Sequence, residues 1–384
     1  MKKIIFGVFV LVIVFATVSV SGRDLVDAVP DNFQATGLVV HTRGWLDFLY
    51  LEPISIASIS SDITFLRFET PMETYSAYRL LRGISAVLWV EFERIAPPVG
   101  DIEEVVGVAA NNDDFLSWGA EAIGACAFRR FLYESDRPQA GVIVAVIDTG
   151  VDEEHPLLEG RVLPGWNFIH NNEDTHDTHG HGTHVAGIIA DITHGLDVQI
   201  LPIVAGHSDG ASSNFAIAQG IDWAVNSGAH VINISMGGSR SFLVDEAVLR
   251  AKASGVTVVA SAGNNSSRAD LRSPSASFGV ITVASVTHDN RPASGSGWGF
   301  VVDIAAPGVG VYSANRDGEN IARSGTSMAT PHVAAAVAMY KIANPNISPA
   351  AVRRNFAGYV TVPEGWNHIR YGNGILNMER AIPQ

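Results

Sequence analysis

The sequence predicts an α/β fold in which a mostly parallel sheet is covered by helices on both faces, as a three-layer sandwich. Two observations support it: five short apolar runs rich in β-branched residues, and helix-period segments that separate them. Strands that are buried on both faces read as unbroken apolar runs, whereas half-exposed strands alternate with polar residues. The 384 residues, 47% hydrophobic and 17% charged, supply enough apolar material for such a core.

The predicted elements alternate along the chain from residue 141. Strands are predicted at 141–148, 198–204, 230–236, 256–261 and 280–285, and helices at 181–193, 213–227, 242–254, 326–343 and 348–356. In parallel sheets the chemistry sits at the carboxyl ends of the strands. The unusual polar residues of this chain follow those ends, which predicts a functional site there.

The first 22 residues have the pattern of a secretory signal peptide, which predicts a secreted, extracellular protein. Two lysines precede an apolar run at 4–16, and small residues follow up to Gly22. An uncleaved signal that anchors the chain to a membrane is the alternative, because the run can be extended to Val20. That length reaches only the lower edge of a membrane-spanning helix.

Residues 23–99 predict a small α+β unit that precedes the sandwich. It contains two strand-like runs and one helical candidate, at 37–41, 85–91 and 72–82. Pro97, Pro98 and Gly100 break this pattern. Residues 100–140 then read as a linker and the first segment of the domain that occupies 141–384.

Charge and cysteine content narrow the function. The formal net charge of −14 argues against a nucleic-acid partner, because binding to the phosphate backbone requires clustered Lys and Arg. Cys126 is the only cysteine, so the chain cannot form an intramolecular disulfide. Its apolar neighbours favour a small buried hydrophobe over a thiol nucleophile.

Asp148 ends the wholly apolar strand VIVAVID, where a carboxylate is costly unless a partner binds it. A turn or capping role is the alternative. The triplet DTG that Asp148 begins also occurs in aspartic peptidases, but those enzymes need two such carboxylates. This chain contains one DTG, so that interpretation would require a dimer.

Four histidines fall within HDTHGHGTHVAG, at residues 176–187. The helical zinc signature H-E-x-x-H needs i, i+4 spacing and a glutamate. His181 and His184 are three apart with no glutamate between them, so we predict no metal site here. His181 opens a predicted helix, whose dipole favours the neutral imidazole that can accept a proton.

Ser327, in SGTSMATPHVAA, lies at the N-terminus of a predicted helix, where a serine is often only an N-cap. Pro331 is expected within the first turn of that helix, which places Ser327 at its very start. The hydroxyl could attack a carbonyl if a base removes its proton. Asn264, in ASAGNNSS, follows a strand and is either a turn residue or an amide donor to an oxyanion.

Together these residues resemble a catalytic triad with an oxyanion hole, in the chain order Asp, His, Ser. The motifs VAVIDTGVD, GHGTHVAG, VINISMGG, ASAGN and SGTSMATPHVAA are similar to those of the subtilisin-like (subtilase) serine endopeptidases, from about residue 115 to the end. The resemblance implies that Asp148 orients the imidazole and that His181 is the general base and then acid. It also implies that Ser327 is the nucleophile and that Asn264 donates to the oxyanion.

The resemblance further implies which residues bind the substrate. The two walls of the primary specificity pocket would be Ser235-Met236-Gly237-Gly238 and Ser261-Ala262-Gly263, and the edge strand that an extended peptide joins would be Gly210-Ala211-Ser212.

The resemblance also implies that Arg272 lies near the base of the primary specificity pocket. Its guanidinium either turns to solvent or Asp270, or faces the pocket and favours an acidic or polar residue before the scissile bond. Against the second alternative, processing directly after residue 99 would place Val99 there, although Glu103 and Glu104 lie close by.

The resemblance implies that 23–99 is a propeptide, similar to the family at VLWVEFE, which assists folding and inhibits until the zymogen processes itself. The other expected partners of the protein are polypeptide substrates. Contact with a membrane is expected only if the signal peptide is not cleaved, and the chain is expected to be a monomer. The alternative function is a non-catalytic, subtilase-like binding module, which the four intact catalytic positions disfavour.

No cofactor is expected for the chemistry, and structural calcium stays open without identified ligands. Many secreted relatives carry a calcium loop after the helix of the histidine. Here Leu157 follows His155-Pro156, and DITHGLDVQILPIV runs straight from helix to strand, which leaves no room for that loop. The acidic residues near 173–177 include Asp177, which matches a polar residue near the catalytic histidine; acidic loop residues are usually solvated.

Overall fold

The structure is a computed structural model that describes residues 116–135, residues 140–383 and parts of the chain between residues 35 and 96. The described parts of the N-terminal region are 35, 37–42, 51, 53, 55–58, 63–82, 84, 87–93 and 95–96. The predicted signal peptide and most of the predicted linker lie outside the described residues. Among the helices that are described, none has the length and apolar character needed to cross a bilayer.

The N-terminal unit is a four-stranded antiparallel sheet with one helix. Its elements are β1 (Gly37–Thr42), β2 (Ser55–Ser58), β3 (Ile63–Arg67), α1 (Pro71–Leu81) and β4 (Val87–Phe92), with the strands in the order β2-β3-β1-β4. Helix α1 begins at a capping box, in which Thr70 and Glu73 accept each other's backbone N–H groups. Apolar side chains such as Leu38, Leu66 and Leu81 form the core between the sheet and α1.

The remaining elements belong to the larger domain, apart from one short strand that precedes it. In chain order they are β5 (Ile95–Ala96), α2 (Trp118–Ala122), α3 (Ala125–Glu134), β6 (Val142–Asp148), β7 (Trp166–Asn167), α4 (His181–Ile192), β8 (Val198–Val204), β9 (Ser212–Ser213), α5 (Asn214–Asn226), β10 (Val231–Ile234), β11 (Gly238–Ser239), α6 (Phe242–Ala253), β12 (Thr257–Ser261), β13 (Arg272–Ser273), β14 (Ile281–Val286), β15 (Ile304–Pro307), β16 (Val311–Ala314), β17 (Asn320–Arg323), α7 (Thr326–Ala343), α8 (Pro349–Phe356), β18 (Val360–Thr361), α9 (His368–Tyr371) and β19 (Ile375–Leu376).

A nine-stranded sheet forms the middle layer, in the order β18-β19-β15-β14-β12-β10-β6-β8-β7. All neighbours pair in parallel except β18 and β19. Side chains alternate between the faces of a strand. In β6, Val144 and Val146 therefore join the core under α4 and α7, and Ala145 and Ile147 join the core under α5 and α6. The predicted three-layer α/β sandwich is confirmed.

The N-terminal unit packs on the outer side of α5 and α6. The sheet residues Val39 and Phe65 belong to the same apolar core as these helices, and the ring of Phe65 stacks on Phe215 at 4.2 Å between centroids. The carboxylate of Glu91 accepts hydrogen bonds from the Oγ of Ser241 at 2.7 Å and from the backbone N–H of Phe242 at 3.0 Å, at the start of α6. A carboxylate is stabilised at a helix N-terminus, so this contact joins the two units.

Arg161 holds the corner at which α4 leads into β8. Its half-buried guanidinium donates to the carbonyl oxygens of Ala190 (2.6 Å), Thr193 (3.4 Å) and Val198 (3.1 Å), and to the Oγ1 of Thr193 (2.7 Å). The last carbonyls of a helix have no partner within the helix, and a cation is favoured at that end. Burial lowers the pKa of Arg161 below its ordinary value. This side chain therefore closes α4 and ties it to the sheet.

We expect Arg161→Met to lower the free energy of unfolding by about 3 kcal/mol, because the carbonyl oxygens would lose their donors while the apolar stem is kept. The apparent unfolding temperature, measured by circular dichroism at a fixed scan rate, should fall by roughly 5–10 °C. The matched control is Arg291→Met, which removes an exposed arginine that pairs with Asp289 at 2.8 Å and should have little effect. Equal falls in the two variants would contradict the assignment.

Candidate active site

Asp148 and His181 meet at the carboxyl edge of the central sheet. Asp148 is the last residue of β6, and His181 is the first residue of α4. The Nδ1 of His181 lies 2.6 Å from the Oδ1 of Asp148, and both side chains are 0% exposed. The backbone N–H of Thr149 donates to the same oxygen at 2.8 Å. A buried carboxylate in contact with an imidazole fixes the ring and leaves Nε2 to exchange a proton.

The carboxylate of Asp177 organises the loop that precedes α4. It is fully buried and accepts five hydrogen bonds of 2.7–3.0 Å, from the Oγ1 of Thr149, the N–H groups of His179 and Gly180, and the N–H and Oγ1 of Thr183. The side chain thus supplies the cap that the N-terminus of α4 requires. It also links the end of β6 to the start of α4. The expectation that acidic residues in this loop are solvated is wrong for Asp177.

Ser327 is the second residue of α7 and is bound to the chain that follows β10. Its Oγ donates to the carbonyl oxygen of Ser235 at 3.0 Å, and the Oγ of Ser235 donates to the carbonyl oxygen of Ser327 at 3.0 Å. Asn233 in turn donates to the Oγ of Ser235 at 3.1 Å. These bonds hold the backbone of Ser327 in place. A rotation about the Cα–Cβ bond of Ser327 would turn its hydroxyl from Ser235 toward another acceptor.

Pro331 lies later in α7 than the sequence predicts. Because α7 begins at Thr326, Pro331 is its sixth residue and stands inside the helix rather than in the first turn. A proline there has no N–H to offer to the carbonyl four residues earlier, which is that of Ser327. The hydroxyl of Ser235 donates to that carbonyl instead. The sequence did not reveal this role of Ser235.

Asn264 is oriented by Thr326, the residue before Ser327. Its Oδ1 accepts from the backbone N–H and from the Oγ1 of Thr326, both at 2.7 Å. The Oγ1 of Thr326 also accepts from the N–H of Gly263 at 3.2 Å. With its oxygen held on one side, the amide turns its Nδ2 the other way. Asn264 and Ser327 line the same cavity.

That cavity has a volume of about 170 Å³ and contains residues from both predicted pocket walls. Its lining includes Ser235, Met236, Gly237, Ser261, Gly263 and Arg272. Two predicted wall residues are absent from the lining: Gly238 begins β11, and Ala262 is fully buried in an apolar core. The side chain of Arg272 reaches across the cavity, with its Nη2 donating to the carbonyl oxygen of Gly237 at 3.1 Å.

The predicted edge strand is shifted along the chain. The strand β9 comprises Ser212 and Ser213, and it pairs antiparallel with β5. Gly210 has a φ of +81°, which only glycine adopts readily, and so it lies in the turn before β9. Ala211 lies between this turn and the strand. Of the predicted segment Gly210-Ala211-Ser212, the structure therefore places only Ser212 in the edge strand.

Of the other histidines of the motif, His179 and His184 lie within the protein and His176 is exposed to solvent. The Nε2 of His184 lies 3.1 Å from the carbonyl oxygen of Ile321. Outside the motif, the Nε2 of His155 lies 2.9 Å from the carbonyl oxygen of Glu319. His179 is half-buried, and burial, followed by the nearby imidazole of His181, lowers its pKa. Within the described part of the chain, no group of three or more His, Cys, Asp or Glu side chains is arranged to hold a metal ion.

The corner between α4 and β8, where the resemblance raised the question of a calcium loop, does not fit that ion. The helix α4 ends at Ile192 and β8 begins at Val198. Leu157 offers no carboxylate, and the guanidinium of Arg161 already binds the carbonyl oxygens that face this corner. A cation placed there would meet a fixed positive charge, so the residues present disfavour calcium at this corner.

The chain resembles known proteins over most of its larger domain. A model described as the subtilase family matches residues 139–367. The chain is 37% identical over 281 residues to alkaline serine exoprotease A of Vibrio alginolyticus, a match that covers 71% of this chain and 51% of that protein, about half its length. It is 37% identical over 275 residues to subtilisin BL of Lederbergia lenta, covering 69% of this chain and 98% of that protein. The crystal structure of a cold-adapted subtilisin-like serine proteinase matches with a TM-score of 0.58 at 34% identity, over 64% of this chain and 90% of that chain.

We expect Asp177→Asn to reduce both stability and turnover. Three backbone N–H groups point at the carboxylate, and the amide nitrogen of asparagine cannot accept from any of them. The free energy of unfolding should fall by about 3 kcal/mol. For a peptide substrate kcat should fall at least about tenfold with little change in KM, because the network positions His181 rather than the substrate.

The control for this prediction is Asp174→Asn, in the same loop. The carboxylate of Asp174 is exposed and accepts from the N–H of His176 at 3.1 Å. This variant should keep the kcat and the unfolding temperature of the original protein. A loss of stability in Asp177→Asn with full kcat would mean that the network holds the loop without positioning the imidazole.

Proposed function

The chain belongs to the subtilase family of serine endopeptidases, and on that premise we propose that it hydrolyses peptide bonds through Asp148, His181 and Ser327. The observation that carries the proposal is the 2.6 Å contact between two fully buried groups, the Nδ1 of His181 and the carboxylate of Asp148. A buried carboxylate held against an imidazole suits a proton acceptor, because the carboxylate stabilises the imidazolium that forms when the ring takes up a proton. Asp148 faces an imidazole rather than a second carboxylate, which argues against an aspartic peptidase.

In the proposed acylation step, the hydroxyl of Ser327 turns from the carbonyl of Ser235 to the Nε2 of His181, which removes its proton. The Ser327 Oγ then forms a bond to the carbonyl carbon of the substrate. Asp148 stabilises the imidazolium that results. His181 returns the proton to the leaving amine as the C–N bond breaks, and the acyl-enzyme remains. In deacylation His181 removes a proton from water, which attacks the carbonyl carbon of the acyl-enzyme. The ester bond to Ser327 breaks, His181 returns the proton to the Ser327 Oγ, and the carboxylic acid product is released.

The oxyanion of the tetrahedral intermediate would be bound by two donors. One is the backbone N–H of Ser327, because the first N–H groups of a helix have no partner within the helix. The other is the Nδ2 of Asn264, whose amide is oriented through its bonds to Thr326. Donors that are fixed before the reaction begins stabilise the transition state without reorganisation. No cofactor takes part in these steps.

We infer that the protein is made as a secreted zymogen whose N-terminal unit, 23–99, inhibits the domain that follows. Support comes from β5, which pairs with β9 at the edge that an extended peptide substrate would join. The carboxylate of Glu93 also accepts from the Oγ of Ser213, the N-cap of α5, at 2.7 Å. In the structure His181 and Ser327 are 0% and 1% exposed, respectively. A peptide substrate would need the unit to leave.

Ser327→Ala should abolish peptidase activity while leaving the fold unchanged, because it removes only the nucleophile. His181→Ala should cost nearly as much, and the double variant little more, since residues that act as a unit are not additive. Activity on a peptide substrate and labelling by a serine-directed fluorophosphonate are the measurements. Labelling of the original protein, with none in Ser327→Ala, would also exclude a non-catalytic binding module.

The active protein should lack roughly the first hundred residues, whereas Ser327→Ala should keep them apart from the signal peptide. N-terminal sequencing of both proteins, each purified after expression, would test self-processing. Trimming of pure Ser327→Ala at the same place would show that a different peptidase makes the cut. A signal peptide that remains attached would favour the membrane-anchored alternative.

A further inference from the structure

Arg272 brings a positive charge into the specificity pocket. It begins β13, which pairs antiparallel with β11, and its half-buried side chain lines the cavity beside Ser327. The Nη2 donates to the carbonyl oxygen of Gly237 on one wall. A Cβ built on Gly263, on the opposite wall, would lie 3.3 Å from its Nε. The guanidinium therefore spans the pocket between its two walls.

The charge of Arg272 has no carboxylate partner among the described residues. The carboxylate of Asp270, the nearest acid along the chain, accepts instead from the Nε of Arg268 at 3.2 Å and from the N–H of Val301 at 3.3 Å. Asp245, which lies behind β13, accepts from Arg240 and Ser273. The expectation that Arg272 pairs with Asp270 is thus wrong, and its turning to solvent does not agree with the bond to Gly237.

The rest of the lining is neutral and polar. Of the described residues around the cavity, Arg272 is the only charged one, and the others include the hydroxyl-bearing Ser212, Ser235, Ser261, Ser275 and Thr326. A guanidinium has five N–H donors, and Arg272 uses one of them on a described acceptor. Burial lowers its pKa, which means that water solvates the charge poorly. A ligand with a negatively charged hydrogen-bond acceptor would compensate for the solvation that the guanidinium has lost.

We propose that Arg272 selects an acidic side chain, glutamate or aspartate, at the residue that precedes the scissile bond. The proposal rests on the proposed peptidase function and names its substrate class. A carboxylate that enters the 170 Å³ cavity meets a planar donor fork, and such pairs are both stronger and more directional than neutral hydrogen bonds. A large apolar side chain would instead bury the guanidinium against a group that cannot accept from it, at a cost in affinity.

Processing of the zymogen does not have to follow this preference. A segment of the same chain is present at a high effective concentration, so an unfavourable residue at the cleaved bond can be tolerated there. Val99 as the processing position is therefore compatible with a selective pocket. Peptides added from solution receive no such help, and they are the substrates on which the preference should be measured.

The test uses the processed protein and four quenched fluorescent peptides that differ only in the residue before the scissile bond: Glu, Gln, Leu and Lys. We expect kcat/KM for Glu to exceed that for isosteric Gln by roughly 10- to 100-fold, the range for a hydrogen bond to a charged group. Arg272→Ala should remove this advantage by lowering kcat/KM for Glu, and it should raise kcat/KM for Leu, because the apolar side chain would no longer bury the guanidinium. Arg272→Glu should favour Lys.

The matched control is Arg268→Ala, which removes an arginine from the same loop that pairs with Asp270 and does not line the cavity. It should keep the preference for Glu. If Arg272→Ala gains activity on Leu and loses none on Glu, Arg272 is a steric floor and the proposal is overturned. Fluorophosphonate labelling of Ser327 tests the peptidase function separately from the preference for an acidic residue. Labelled protein without a Glu preference refutes only the preference, whereas unlabelled protein refutes the peptidase function.

Discussion

The buried carboxylate of Asp177 is the constraint on which the rest of the site depends. A charge without solvent must be matched by donors, and here the donors come from the end of β6 and from the first turn of α4. Thr149 adds a second link, because its Oγ1 also accepts from the N–H of Gly182 at 3.0 Å. The strand that carries Asp148 and the helix that carries His181 are therefore fixed to each other by buried hydrogen bonds.

The same requirement explains how Ser327 is held. Pro331 leaves one carbonyl of α7 without its helical donor, and Ser235 supplies a hydroxyl to that carbonyl. The bond joins the helix of Ser327, the proposed nucleophile, to the end of β10, the neighbour of β6 in the sheet. The three catalytic candidates thus sit on separate elements, and each element is tied to the central sheet by a hydrogen bond rather than by apolar packing alone.

Much of the fold and of the triad could be predicted because their signals are local. Five apolar runs bounded by turn residues indicated buried strands, and the carboxylate of Asp148 at the end of one of them indicated a buried partner. In the central sheet the short strands β7, β15, β18 and β19 escaped prediction, because two to four residues carry no period and pair only once neighbours are in place. The bond from Thr149 to Asp177, the pairing of β9 with β5 and the bonds of Arg161 join segments at least 28 residues apart, so no local pattern encodes them.

The charge of the whole chain and the charge of the pocket act at different ranges. A net charge of −14 repels acidic peptides at a distance, but exposed charges more than about 10 Å apart are largely screened at 0.1 M salt. It therefore affects the rate of encounter more than the bound state. Within the half-buried cavity, Arg272 is the one charged residue among the described lining residues, and a carboxylate there is within hydrogen-bonding distance of it rather than a Debye length away. Local geometry, rather than composition, would set the preference of such a site.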